Sequence, residues 1–325
     1  MLRTRVSERF GLQYPVMSAP MALHSGGRLA AAVSNAGGLG AFGGINPAGP
    51  DWVREQIAHV RSQTDRPFAV GFITAFIPMF EANFQAALDE RAPVIALSFG
   101  DPQPWLTRAK EAGAVVMCQA QTVEDAQRAA AAGADIVVAQ GNEAGGHTGT
   151  MNLLPLLSRV IDLLPDVPVM ASGGIASGRS LAAALAAGAD GAWVGTAFLA
   201  TPEAVEVRDF HKQRVIDSDG QDTVFTEAYD IMDGMPWPAG VGGRVHRNRF
   251  AGEWQERQEE LRRRRDEVLP TYQDAQQRND PESVAIYMGQ SAGFVDAVRP
   301  AADVLRSICD DAERILRERS AALLD

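Results

Sequence analysis

Ala132-Gly133-Ala134-Asp135-Ile136-Val137-Val138-Ala139 is the stretch on which the fold turns. An alanine-rich run of good helix formers ends at a glycine, which can adopt the left-handed backbone that closes a helix. The short apolar, β-branched run behind it reads as a strand buried on both faces. The same joint recurs where Ala112-Gly113-Ala114 leads into Val115-Val116-Met117, and where Ala187-Gly188-Ala189-Asp190 leads into Gly191-Ala192-Trp193-Val194. Asn35-Ala36-Gly37-Gly38 before Leu39-Gly40-Ala41-Phe42 is a looser fourth case. Working outward, strands are expected near 15–19, 39–43, 68–73, 94–99, 114–119, 136–140, 168–172 and 191–195. Helices are expected near 26–36, 51–64, 78–91, 102–112, 122–132, 153–164 and 177–187, with an eighth near 203–213. Asp101-Pro102 offers an N-cap followed by proline at the first helical position, and Thr122-Val123-Glu124-Asp125 resembles a capping box with Asp in place of Glu. Alternating strands and helices suit a doubly wound open sheet as well as a barrel, so the count decides. Eight strands at about 25 residues per unit predict an α/β fold, an eight-fold β/α barrel of the TIM type.

The chain has 325 residues, long for one ordinary core but suited to a barrel with additions. Lys and Arg total 30 against 41 Asp and Glu, a net charge of −11, which argues against nucleic acid and anionic membrane as partners. Hydrophobic residues make up 46% and charged residues 22%, the balance of a globular protein. Two cysteines, Cys118 and Cys309, cannot build a disulfide framework or a multi-cysteine metal site. No apolar run approaches the roughly 18 residues of a membrane span, and the first residues lack the apolar core of a signal peptide. A cytoplasmic location is expected.

After about residue 213 the alternation stops. The expected organisation is a barrel over 1–213, an irregular lid and charged helix over 214–280, and C-terminal helices over 281–325 that pack back on the barrel. The lid reading rests on 216–250, rich in Asp, Gly and Pro and containing Met235-Pro236-Trp237-Pro238. Arg262-Arg263-Arg264-Arg265 lies among Glu256, Glu259, Glu260, Asp266 and Glu267, and reads as a solvated helix of mixed charge rather than a polyanion patch. Closing helices are expected at 281–290 and 300–320, the second with Val304, Leu305, Ile308, Ile315 and Leu316 on one apolar stripe.

A barrel carries its active site at the C-terminal ends of its strands, so glycine should concentrate there if a ligand must approach the backbone. Gly38-Leu39-Gly40-Ala41-Phe42-Gly43 matches the dinucleotide pattern G-x-G-x-x-G, but a helix precedes it and no helix can start before about Asp51, which rejects that reading. Ser172-Gly173-Gly174-Ile175 ends the seventh expected strand and Gly195-Thr196 the eighth. Free backbone N–H groups in these two loops, with hydroxyls from Ser172 and Thr196, favour an anion, although glycine also serves tight turns. Gln140-Gly141-Asn142-Glu143-Ala144-Gly145-Gly146-His147-Thr148-Gly149 follows the sixth strand. Its glycines are costly in backbone entropy for a mere connection, and they place His147, able to trade a proton near neutral pH, at the barrel mouth. His24, His59, His211 and His246 read as structural. Ala19-Pro20-Met21-Ala22 is either a rigid strand exit or a backbone wall against a planar ring. No P-loop, H-E-x-x-H, G-x-S-x-G or cysteine metal cluster occurs, so metal catalysis and serine hydrolysis lack support.

Taken together, Ala19-Pro20-Met21, the glycine-rich 37–44, the loop around His147, Ser172-Gly173-Gly174-Ile175 and Gly195-Thr196 resemble the nitronate monooxygenase family, formerly called 2-nitropropane dioxygenase. The similarity spans roughly residues 10–200 and returns more weakly at Gly289-Gln290-Ser291-Ala292-Gly293. The resemblance implies an FMN-binding barrel without a metal, with the phosphate on Gly173, Gly174, Gly195 and Thr196. It puts the flavin ring near Pro20 and Met21, with Gln140 and Gly145 approaching it, and it counts Ala19, Gly71, Gln119 and Ser172 among the cofactor contacts. It implies oxidation of an alkyl nitronate by dioxygen to a carbonyl compound and nitrite, with His147 holding the nitronate oxygens or, for neutral nitroalkanes, removing the α-proton. Many relatives carry Gly-Val-Asn after the third strand where this chain has Gly71-Phe72-Ile73-Thr74, so Thr74 or a backbone group would have to replace the asparagine. The same superfamily includes flavin enoyl-acyl-carrier-protein reductases, quinone reductases and CoA-thioester oxidoreductases, so an NAD(P)H-dependent reductase or dehydrogenase is the alternative. Enoyl reductases usually have Glu at the position of Gln140, which disfavours them. A flavin-free barrel that binds a phosphorylated ligand rests on the two phosphate loops alone. A small-molecule substrate and dioxygen are the expected partners, and the protein is expected as a monomer or homodimer.

Overall fold

The computed structural model describes residues 2–324. Eleven strands form: β1 (Val16–Ser18), β2 (Gly40–Gly43), β3 (Phe68–Ile73), β4 (Val94–Ser98), β5 (Val115–Ala120), β6 (Ile136–Gln140), β7 (Gly146–Thr148), β8 (Val169–Ser172), β9 (Ala192–Val194), β10 (Thr223–Thr226) and β11 (Gly242–His246). Eight of them run parallel in the order β1-β9-β8-β6-β5-β4-β3-β2. The ring closes where Met17 bridges Leu39 and the Ser18 N–H donates to the Leu39 carbonyl at 3.0 Å. The expected β/α barrel is thus what the chain forms, and each of the eight expected strands overlaps an observed one. The joints work as the sequence suggests: Gly113, Gly133 and Gly188 sit at φ +88°, +94° and +100°. At each of them the next N–H turns back into the helix, as when Ala134 donates to the Ala129 carbonyl at 3.0 Å.

Side chains alternate along the strands between two layers. Met17, Leu39, Ala69, Val94, Met117, Ile136, Val138, Met170 and Trp193 fill the barrel interior, while Val16, Phe42, Val70, Ile95, Val116, Val137 and Val169 pack outward among the helices. Val6 and Leu12, in and just after the helix Arg5–Phe10, join the inner cluster and plug the floor. That helix is tied down by Arg5, whose Nη2 donates to Asp190 Oδ2 at 2.7 Å, and the same carboxylate oxygen accepts from the Val169 N–H at 3.0 Å. Replacing Asp190 with Ala strands a buried backbone donor and is expected to cost about 2 kcal/mol. An unchanged urea midpoint in that variant would count against this account of the floor.

Several expectations need correction. No helix spans 203–213: a single turn, Thr196–Leu199, is followed by irregular chain and then by the helix Asp209–Asp217. Pro202 interrupts the run, and the Thr201 hydroxyl takes the Ala204 N–H at 3.3 Å in a local turn. The region 216–250 is more regular than expected, because β10 and β11 pair antiparallel and β11 pairs in turn with β7, while a helix forms at Ala228–Asp233. Residues 281–289 are not helical, and Gln290 opens the short 3-10 turn Gln290–Phe294. Tyr287 bridges Val245 and the Ile286 carbonyl accepts from His246 at 2.8 Å, so the β-branched and aromatic stretch extends the small sheet instead. The charged stretch forms three helices, Arg249–Trp254, Gln258–Arg263 and Arg265–Arg278, with Arg262 paired to Glu227 and Glu259, and Arg264 to Glu260 and Glu267. The last helix, Ala301–Leu324, buries Leu305, Ile308 and Ala312 and packs on the helices Gly178–Ala186 and Gly27–Asn35. Both cysteines are buried and unpaired, and burial pushes the Cys118 thiol up to about 12. Among the described residues no helix is long and apolar enough to cross a membrane, and no His/Cys/Asp/Glu cluster could hold a metal.

Candidate active site

A cavity of about 480 Å³ opens at the C-terminal ends of the barrel strands. The residues expected to hold the cofactor or act in catalysis lie on its wall: Ala19, Pro20 and Met21 after β1, Gly71 in β3, Gln119 in β5, Gln140 ending β6, Gly145 and His147 beyond it, Ser172, Gly173 and Gly174 at the end of β8, and Gly195 and Thr196 after β9. Thr74 does not join them; it is buried at the start of the 3-10 turn Thr74–Met79, and Ile73 takes the wall position. The G-x-G-x-x-G match holds β2, with the helix Gly27–Asn35 before it and the helix Pro50–Gln63 after it, which is not a dinucleotide loop.

One side of the cavity is a backbone cradle. Gly173 and Gly174 adopt φ +101° and +69°, and the N–H groups of Gly173, Gly174 and Gly195 meet no protein acceptor among the described residues. Thr196 Oγ1 accepts from the Gly289 N–H at 3.0 Å, which leaves its own proton to donate. Among the described residues the wall carries no Lys or Arg, so an anion here would be held by backbone and hydroxyl donors. On another side, Gln121 Nε2 donates to Gln140 Oε1 at 2.9 Å and to Gln119 Oε1 at 3.2 Å. Gln140 Nε2 in turn donates to the His147 carbonyl at 3.1 Å, and this chain of amides leaves the Gln119 N–H groups for a ligand.

His147 lies in β7, opposite Gly243 of β11, so the small sheet and the barrel loop meet at this residue. Its Nε2 sits 2.8 Å from Asp230 Oδ1. The Trp237 indole stacks on its ring at 3.5 Å between centroids and 13° between planes, and packs edge-on against Phe76 and Phe99. Asp230 and Asp233 share the helix Ala228–Asp233, which Arg265 holds by donating to the Ile231 carbonyl at 2.8 Å and the Met232 carbonyl at 3.0 Å. Burial, with the charge of Asp230 added to it, pushes the Asp233 carboxyl above the usual carboxylate range, against the pull of the Tyr272 hydroxyl 3.0 Å away.

Sequence reasoning missed Asp230, Asp233, Trp237, Tyr287 and His24, all of which line the cavity. The Met235-Pro236-Trp237-Pro238 motif was the one available signal; nothing local announces Asp230. His24 packs edge-on against His211, with ring centroids 5.1 Å apart, and His211 Nε2 donates to the Tyr287 carbonyl at 2.8 Å. Burial holds both imidazoles below their ordinary value of 6.5, His211 at about 3. Because the unfolded chain takes up these protons first, stability present above about pH 6.5 drains away as pH falls toward the folded values, by about 1.4 kcal/mol per pH unit for one proton. Urea midpoints at successive pH values should show a shallower acid slope in His211→Gln than in the parent protein; identical slopes would rule the pair out as the cause.

A family model described as nitronate monooxygenase matches residues 3–78 and 73–311. Over 237 residues the chain is 37% identical to the (3aS,4S,5R,7aS)-5-hydroxy-7a-methyl-1-oxo-octahydro-1H-indene-4-carboxyl-CoA dehydrogenase of Mycobacterium tuberculosis, covering 72% of this chain and 65%, less than two thirds, of that protein. It is 31% identical over 281 residues to a probable nitronate monooxygenase of Staphylococcus saprophyticus, covering 72% of this chain and 78% of the other. FabK from Thermotoga maritima superposes with a TM-score of 0.88 at 32% identity, covering 99% of this chain and 100% of that one. The nitroalkane oxidase of Streptomyces ansochromogenes gives 0.80 at 31% identity, covering 96% and 98%.

Proposed function

Since the chain belongs to the nitronate monooxygenase family, we propose that it is an FMN-dependent oxidoreductase that converts alkyl nitronates, with dioxygen, to a carbonyl compound and nitrite. The observation that carries this reading is the convergence of the backbone cradle, the amide chain and His147 on one cavity. The donor set suits FMN: the N–H groups of Gly173, Gly174 and Gly195 with the Thr196 hydroxyl would hold the phosphate. Pro20, Met21, Gln119 and Gln140 would border the ring. Bound there, FMN would supply the electron acceptor. The protein's part is to bind the nitro group beside His147, to keep water out with Trp237, Phe76 and Phe99, and to place the imidazole where it can hydrogen-bond a nitronate oxygen or accept a proton. Flavin-replete protein should release nitrite from propane-2-nitronate in air, and its failure to do so would overturn the proposal.

A second reading, an NAD(P)H-dependent reductase or dehydrogenase acting on a CoA thioester, an enoyl thioester or a quinone, is favoured by the 37% identity to a protein named as a CoA dehydrogenase. Anaerobic mixing with NADH separates the two, because rapid bleaching of the flavin supports the second reading and an unchanged spectrum the first.

A further inference from the structure

We infer that Asp230 is a positioning residue that locks His147 in the Nε2–H tautomer, leaving the Nδ1 lone pair to receive the proton of a neutral carbon acid; this rests on the functional reading above. A carboxylate only accepts hydrogen bonds, so the 2.8 Å contact requires the proton on Nε2, and a neutral imidazole then carries its lone pair on Nδ1. Nδ1 has no hydrogen-bond partner among the described residues, and the side chain that carries it lines the cavity. A flip of the ring about Cβ–Cγ would put a carbon where Nε2 now meets Asp230, and Trp237, stacked on one face, hinders the swing. Nor is Asp230 free to withdraw, because Arg265 anchors its helix through two carbonyls.

A preformed nitronate has already lost its α-proton and makes no demand on this lone pair, whereas a neutral carbon acid does, so the two substrates separate the role of Asp230. In the step itself the C–H bond α to a nitro or thioester carbonyl group breaks and its proton forms the N–H bond on Nδ1. The electron pair stays on the substrate, spread onto the nitro or carbonyl oxygen. The new anion then lies beside an imidazolium whose other N–H is held by Asp230, the division of labour seen in catalytic His–Asp pairs generally.

Nitrogen-15 NMR of the histidine side chains in the full chain tests the tautomer, with the His147 signals identified by their loss in His147→Gln. The Nε2–H form is expected in the parent protein and in Asp230→Glu, and it should give way to a mixed or Nδ1–H form in Asp230→Asn and Asp230→Ala. An Nδ1–H form in the parent, or an Nε2–H form that survives unchanged in Asp230→Ala, overturns the inference. Kinetics test the substrate class: in Asp230→Asn kcat/KM for neutral 2-nitropropane should fall about 10²-fold or more, at least tenfold beyond any fall on the preformed nitronate, with partial recovery in Asp230→Glu. Equal falls on both substrates would also overturn it. A parent enzyme inert toward both nitro compounds sinks the functional reading instead, and the NMR result still decides the role of Asp230.

Discussion

His147→Ala is expected to leave the protein yellow while lowering turnover of nitro compounds about 10²–10⁴-fold, the range for loss of a positioned acid–base group. Flavin should be retained because the cradle at Gly173, Gly174, Gly195 and Thr196 belongs to the ends of β8 and β9, whereas His147 belongs to β7. The substitution removes the partner of Asp230 Oδ1 and one face of the Trp237 stack, so a modest loss of stability should accompany it. Thermal melts run beside the kinetics separate the two effects. Undiminished turnover in folded, flavin-loaded His147→Ala would reduce the residue to a packing element beneath Trp237.

Gly174→Val is expected to purify colourless. Space is not the obstacle, since an added Cβ would meet only the Glu143 side chain, with Cβ at 3.5 Å and Cγ at 3.9 Å. Backbone conformation is: at φ +69° an L-residue costs about 1–2 kcal/mol, and a β-branched one more. The loop would escape by turning the Gly173 and Gly174 N–H groups away from the phosphate position. Gly174→Ala should show a smaller deficit, and flavin absorbance per mole of protein measures both. A full complement of flavin in Gly174→Val would mean that the cradle is not where the phosphate sits.

The fold was legible because its signal is local and repeated. Each glycine joint couples a helix end to a buried strand, and eight strands leave few alternatives to a barrel. The wall of the cavity was legible for the same reason: glycine, hydroxyl and histidine residues at strand ends announce themselves one loop at a time. Asp230 and Trp237 were not, because their importance lies in contact with His147, 83 residues away in the case of Asp230, and no periodicity encodes that meeting. Residues 281–290 failed differently. A short run such as Val284-Ala285-Ile286-Tyr287-Met288 suits helix or strand, and a distant partner, Val245, decided between them. At 203–213 the alternation of strands and helices suggested an eighth helix, and the local chemistry of Thr201 and Pro202 prevailed over it.

The pairing of β7 with β11 has a mechanical consequence. The imidazole is stitched by its own main chain to the small sheet, and its stacking partner and its carboxylate flank that same sheet. A swing of this cap away from the barrel would therefore carry the proton acceptor with it rather than leave it behind on the rim. Were the cap to swing in this way, a gaping molecule would lack that group at its rim.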